Sequence, residues 1–265
     1  MKKVNLLSII VPAYKQEKTI VKDLLRIKEV LVGLRYKSEI IVVVDGIVDK
    51  TLERAKKLNS ETLKVVGYEI NHGKGYAIRY GMARAEGNII GFIDSGMDLN
   101  PNGLSMLLEN FEWQNADIVV GSKRHSASKV KYPFKRRIIS FLSQIFIRVL
   151  FGLNVRDTQV GMKFFKRKVI EDIFPRLLVK KFAFDIEILV VAYHMGYKRI
   201  FESPIELSFN FKGSIVSQDL FRTIAGAFWD SLAIFYRLRI LHYYDTQNKM
   251  KWKHDPELNL KVNVA

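Results

Sequence analysis

The chain has 265 residues, 43 Lys and Arg against 27 Asp and Glu, a formal charge of +16 and no cysteine. That length supports a sizeable core, and 48% hydrophobic residues exclude a disordered chain. The lack of cysteine excludes disulfides, thiolate zinc sites, iron–sulfur clusters and a cysteine nucleophile.

In chain order, residues 6–13 form a short apolar, β-branched run that predicts a buried strand. Residues 17–34 predict an amphipathic helix, with Ile20, Leu24, Ile27 and Leu31 on one face. A second strand is predicted over 38–45, a short helix over 49–58 and a third strand over 63–70. A glycine-opened helix over 73–85 leads to a fourth strand over 88–94. Asn100-Pro101 then starts another helix, and a fifth strand follows over 116–122. Strands buried on both faces and separated by helices predict a parallel α/β sheet. Further on, helices are predicted over 134–151, 181–196 and 217–241, with two short strands over 197–203 and 206–212. The tail, 246–265, lacks periodicity and is expected to carry no fixed structure. Residues 1–10 begin like a signal peptide, but Pro12, Tyr14, Lys15 and Gln16 follow too soon. No uncharged run of 18 apolar residues occurs, so a cytoplasmic location is expected.

Ligands of open parallel sheets bind beyond the carboxyl ends of the strands. Asp45 and Asp94 both end strands at that edge, which points to a ligand. Neither a P-loop nor the dinucleotide fingerprint is present around Gly73-Lys74-Gly75. The five histidines have no ligand spacing. Residues 123–181 carry 16 Lys and Arg against three acids, so this block is expected to form a site, a membrane face or a nucleic-acid face.

Seven stretches together carry a resemblance: SIIVPAY (8–14), EIIVVVDGIVDKT (39–51), NHGKGYAIRYGMARAEGNIIGFIDS (71–95), DIVVGSK (117–123), RRIISFLSQIFIRVLFGLNVRDTQVGMKFFKR (136–167), FAFDIEILVVA (182–192) and GYKRIFESPIE (196–206). In order and spacing the chain resembles family 2 glycosyltransferases of the GT-A fold, most closely the polyprenol-phosphate sugar synthases, of which dolichol-phosphate mannose synthase is the type. The resemblance implies an α/β GT-A domain over 1–215, with a nucleotide half (1–122) and an acceptor half (123–215). It further implies an amphipathic membrane-interface segment over 216–245.

The resemblance also implies roles. Pro12, Ala13, Tyr14, Glu17, Asp45, Lys74 and Asp94 would bind the nucleotide of a GDP- or UDP-linked sugar. Asp94 and Asp98 would hold Mg²⁺ or Mn²⁺. Lys123, Arg136 and Ser140 would bind the phosphate of a polyprenyl lipid, with Asp94, Lys123 and Arg136 as the catalytic set. Gln159, Asp185 and Glu187 would line the donor sugar pocket, although Asp185 and Glu187 also suit surface pairing with Lys180 and Lys181. The expected reaction is metal-assisted transfer of a mannose- or glucose-type hexose. Its acceptor is already an anion, so it needs cations rather than a general base. An anionic membrane surface is an expected partner, and nucleic acid is not.

The sequence also departs from the family pattern. Val44-Asp45 replaces an aspartate pair, Lys15-Gln16 replaces Asn-Glu, Lys123 replaces an arginine, and the second aspartate of the DxD motif falls on Gly96. Two alternatives follow: a family member with another acceptor, or a degenerate binding subunit.

Overall fold

The computed structural model describes residues 6–96, 98–130, 134–181, 183–207, 220–245, 252–258 and 260–263, with backbone alone for 134–139, 220–224, 252, 260, 261 and 263. The first half alternates as predicted: β1 (Leu6–Ala13), α1 (Ile20–Val32), β2 (Lys37–Asp45), α2 (Thr51–Lys56), β3 (Leu63–Tyr68), α3 (Lys74–Met82), β4 (Ile89–Ile93), α4 (Gly103–Trp113) and β5 (Ile118–Ser122). The second half adds β6 (Lys129–Val130), α5 (Phe134–Phe151), β7 (Met162–Lys166), α6 (Arg167–Ile173), a 3₁₀ turn at Phe174–Arg176, α7 (Phe184–His194), β8 (Ile200–Pro204), β9 (Glu206–Leu207) and α8 (Leu220–Arg239). The predicted strand over 206–212 lies partly outside the described residues.

Seven strands form one sheet in the order β3-β2-β1-β4-β7-β5-β8. All run parallel except β7, which is antiparallel to both neighbours. Both predicted halves therefore contribute strands to one sheet. The period-2 side-chain alternation divides each central strand between two cores. Ile10, Ile41, Val43 and Phe92 face α3, α5, α7 and α8. Leu7, Ile9, Val11, Val42 and Val44 face α1 and α4. The four apolar positions predicted for α1 are all buried.

The tail is a correction. Two strands there, β10 (Trp252–Asp255) and β11 (Leu260–Asn263), pair antiparallel. Leu258 between them is buried, and Glu257 accepts a hydrogen bond from the Tyr76 hydroxyl of α3. Leu260-Lys261-Val262-Asn263 alternates apolar and polar residues over four positions, the shortest run that signals a strand.

Candidate active site

β1, β2, β4 and β5 end at one edge of the sheet, and the antiparallel β7 begins there, with Ile93 paired to Met162. The Asp94 N–H donates to the Gly161 carbonyl at 2.8 Å. This approach requires glycine at 161, because a Cβ there would lie 1.8 Å from Asp94 Oδ2.

Four charged side chains converge behind that contact. Lys74 Nζ lies 2.9 Å from both Asp94 oxygens, donating to Oδ2, and also donates to Asp185 Oδ2 at 2.8 Å. Lys163, on β7, donates to the other Asp185 oxygen and to the Val160 carbonyl at 2.6 Å. Lys163 and Asp185 are 0% and 2% exposed, whereas Lys74 is 15% and Asp94 39% exposed. The cluster thus runs from a sealed interior pair to a solvent-facing carboxylate. Asp94 Oδ1 is nonetheless a buried atom that receives no hydrogen bond. The Phe92 ring lies 5.5 Å from the Lys74 ammonium and 5.1 Å from that of Lys163.

The electrostatics follow from this gradient. Burial acts to raise the Asp185 carboxyl, but the two ammonium groups outweigh it and hold the group below its ordinary range. Burial raises Asp94, aided by the nearby Asp185 charge and opposed by Lys74. Lys74, despite its burial, is held above the ordinary lysine value by the two carboxylates. Burial lowers Lys163, with Asp185 opposing.

Asp45 is committed to the chain itself. Its carboxylate accepts from the Tyr68 hydroxyl (2.9 Å), Asn71 Nδ2 (2.9 Å) and the N–H groups of His72 (2.8 Å) and Gly73 (3.0 Å). It thereby fixes the loop that delivers Lys74. Burial and the Asp45 charge push the Tyr68 hydroxyl up, which keeps it a donor. Val44 packs into the core, so a single carboxylate faces this loop. The segment after β1 is tied to α2: Gln16 N–H donates to Thr51 Oγ1 (2.8 Å), Glu17 accepts from Lys50 N–H (3.3 Å), and Arg54 donates to the Glu17 carbonyl (2.6 Å). Pro12 and Ala13 are buried and Tyr14 is half-buried at the strand end.

Asp185 and Glu187 are not surface partners of Lys180 and Lys181, because both are buried on the first turn of α7. Glu187 accepts from Leu178 N–H (3.0 Å), Val179 N–H (2.8 Å) and the Tyr244 hydroxyl (2.8 Å). Its visible work is to hold Leu178 and Val179 against Tyr244 of the turn that follows α8. Gln159 is exposed just before β7. Lys163 and Gly161 were not singled out by sequence reasoning. The available signal was a lone lysine inside the apolar run Val160–Phe165.

On the acceptor side, Lys123 N–H donates to Asp157 at 3.0 Å, and its ammonium lies 3.5 Å from the same carboxylate. Arg124 joins this turn to α5 through Gln144 and lies 5.1 Å over the Phe141 ring. Ser140 is half-buried one turn before Gln144. Arg136 lies in the first turn of α5, and its side chain is outside the described residues. The basic block does not form one face. Lys163 is sealed inside, Arg167 donates to the carbonyls of Ala85 and Gly87, and Arg176 is buried against the Tyr244 carbonyl. Antiparallel β7 carries Lys163 near the ligand edge and Lys166 near the opposite one, so sequence proximity overstated the patch.

The fit to a divalent cation is poor. Among the described residues, no three carboxylates or imidazoles converge. A hard cation bound to Asp94 at about 2.0–2.5 Å would lie within about 5 Å of Lys74 Nζ. Charges of +2 and +1 at that separation repel by on the order of 7 kcal/mol at an effective dielectric of 20. Position 96 adds no ligand: Gly96 has φ +100°, a conformation in which side chains are strained. Gly96→Asp is therefore expected to destabilise the fold by about 1–3 kcal/mol without tightening Mn²⁺ binding. Urea unfolding and metal calorimetry on both proteins check this, and tighter Mn²⁺ binding would place residue 96 in a metal shell after all.

Residues 8–174 match the family described as Glycosyl transferase family 2. The chain belongs to that family. It is 33% identical over 208 residues, 71% of its length, to a dolichyl-phosphate beta-glucosyltransferase of Drosophila melanogaster, of which it covers 63%. It is 32% identical over 260 residues to a dolichyl-phosphate beta-glucosyltransferase of Trichomonas vaginalis, covering 88% of this chain and 74% of the relative. A dolichol-phosphate mannosyltransferase of Pyrococcus furiosus is 27% identical, over 78% of this chain and 57% of the relative. The chain thus spans about 63% of the length of the Drosophila relative. Among solved structures, mannosyl-3-phosphoglycerate synthase from Rubrobacter xylanophilus aligns with a TM-score of 0.69 at 16% identity, covering 88% of this chain and 74% of that one. Glucosyl-3-phosphoglycerate synthase from Mycobacterium tuberculosis, in complex with Mn²⁺, UDP and phosphoglyceric acid, aligns at 0.63 and 20% identity, covering 86% of this chain and 78% of that one. These likenesses establish the GT-A-type fold.

Proposed function

We propose that this family 2 glycosyltransferase moves a hexose, glucose in the first instance, from a nucleotide-diphosphate donor to a polyprenyl phosphate. The observation that carries this reading is the convergence of Lys74, Asp94 and Asp185 at the strand-end edge, in a chain whose glucosyltransferase relative from Trichomonas spans 88% of it. The donor diphosphate lies toward Lys74 and the Pro12–Glu17 segment. The acceptor phosphate lies toward Lys123, Ser140 and Arg136. A lipid phosphate oxygen attacks the anomeric carbon, the bond from that carbon to the donor phosphate breaks, and the nucleoside diphosphate leaves as an anion. The acceptor needs no deprotonation, so the protein's tasks are positioning and charge neutralisation. Mn²⁺ accompanies a fold neighbour, whereas the donor set at Asp94 in this chain fits a divalent cation poorly. A screen of nucleotide-sugar binding by the purified chain tests the donor side. UDP-glucose or GDP-mannose is expected to bind in preference to the free sugar, and no binding by any nucleotide sugar would contradict the reading.

The same reading places the protein peripherally on the cytoplasmic membrane face. No helix of the described residues is long and apolar enough to cross a membrane. On α5, Phe141, Ile145 and Val149 form an exposed stripe at four-residue spacing, while Ile147 and Phe151 face the core. On α8, Trp229 and Tyr236 are exposed while Ile234 and Leu238 are buried, and Ile240 just beyond the helix is also exposed. The two helices meet where the Phe146 and Phe228 rings stack at 4.8 Å. Exposed aromatic and aliphatic groups beside basic residues suit the membrane interface. Flotation with anionic vesicles is expected to recover the protein, with binding that falls as salt rises. Trp229→Ala should weaken it, and equal recovery with neutral vesicles would contradict the electrostatic share.

A further inference from the structure

We infer that the Lys74 ammonium, backed by the buried Asp185–Lys163 pair, occupies the place of a divalent cation beside Asp94 and supplies the positive charge that neutralises the donor diphosphate. This rests on the glycosyltransferase reading and goes beyond it, since it replaces the expected metal with a side chain of the protein.

Four observations lead to it. The ammonium is 2.9 Å from both oxygens of the strand-end carboxylate, the position a cation would take. Two of its three protons go to Asp94 Oδ2 and Asp185 Oδ2, so one donor remains for a ligand oxygen. Its side chain is 15% exposed and adjoins the 39% exposed Asp94 at the ligand edge. Residue 96, where the motif would place a second carboxylate, is Gly96 in a backbone conformation suited to glycine.

The deeper pair explains why the lysine stays in place. Lys163 is fully buried and can neither leave nor find another acid, so Asp185 remains ionised between two ammonium groups. With Asp94 included, the cluster holds two positive and two negative charges. The cluster is therefore neutral overall, and Lys74 is its cation nearest the edge, held in a fixed orientation between Asp94 and Asp185. Asp94 serves as an anchor for Lys74, Lys163 as a positioning residue, and Lys74 as the group that touches the donor.

The test is calorimetric titration of UDP and of GDP into the full chain, once with EDTA and once with Mn²⁺. The wild type is expected to bind the preferred nucleotide in EDTA within about threefold of its Mn²⁺ affinity. Lys74→Met is expected to lose about 10–100-fold in EDTA, the worth of one charge-assisted contact, and to recover part of it in Mn²⁺. Lys74→Arg, which keeps the charge, should retain binding in EDTA. Wild-type binding that appears only with Mn²⁺ would overturn the inference while leaving the glycosyltransferase reading intact, and this arm needs no variant to fold. Absence of binding by either nucleotide under both conditions would overturn the glycosyltransferase reading and the inference together.

Discussion

Asp94→Asn is expected to lower sugar transfer by about 100–1,000-fold, the range seen when one pre-oriented electrostatic group is removed from a reaction centre. The substitution is isosteric. It removes the charge that draws Lys74 to the ligand edge, leaving the ammonium to its second partner, Asp185. The fold should survive, because Asp94 is 39% exposed and outside both cores. A stability loss of about 1.5–3 kcal/mol is expected from one charged hydrogen bond. Initial transfer rates, with thermal melting as the control, check the result. Near-wild-type turnover in a folded variant would remove Asp94 from the reaction centre.

Asp185→Asn should act on stability more than any other single change in the site. It strands the fully buried Lys163 ammonium beside a neutral amide, and breaking a buried pair from one side costs about 3–5 kcal/mol. Adding Lys163→Met should restore part of the loss, because the stranded charge then disappears. The pH dependence has a definite sign. Asp185 is held below its ordinary value of 3.8 in the folded protein. Its stabilising contribution is therefore fully present above that value and lost as pH falls through the folded one. The gap between wild type and Asp185→Asn should accordingly be widest near neutral pH and shrink below pH 3.8. Urea unfolding at two pH values measures it. A double variant as unstable as Asp185→Asn alone would show that the cost lies elsewhere, for instance in α7 packing.

Much of this site was legible in the sequence. Asp45 and Asp94 end strands, and the edge rule for parallel sheets brings such positions together, whereas Lys74 was named through the resemblance. Asp185 came only through resemblance, since an acid near Lys180 and Lys181 has an ordinary surface explanation. The rest depended on one non-local fact. β7 inserts antiparallel between β4 and β5, and no local pattern in Met162–Lys166 announces that pairing. The insertion turns Lys163 into a buried counter-charge, sets Gly161 against Asp94 and sends Lys166 toward the far edge. Read without it, the lysines of the 123–181 stretch looked like one basic face. The role of Asp45 was likewise hidden, because its partners are the Tyr68 hydroxyl 23 residues on, the Asn71 side-chain amide 26 on and the backbone N–H groups of His72 and Gly73 27 and 28 on.

The hexosyltransferase reading is tested most directly by transfer from a radiolabelled nucleotide sugar to a short polyprenyl phosphate, run beside the matching polyprenyl alcohol. On the proposed reading Lys123 and Arg136 supply cations for an anionic nucleophile, which needs no base. Labelled lipid is therefore expected from the phosphate alone, with UDP-glucose tried first and GDP-mannose second. Equal labelling of the alcohol, or no lipid-linked product from any donor in a protein that binds the nucleotide, would contradict the account.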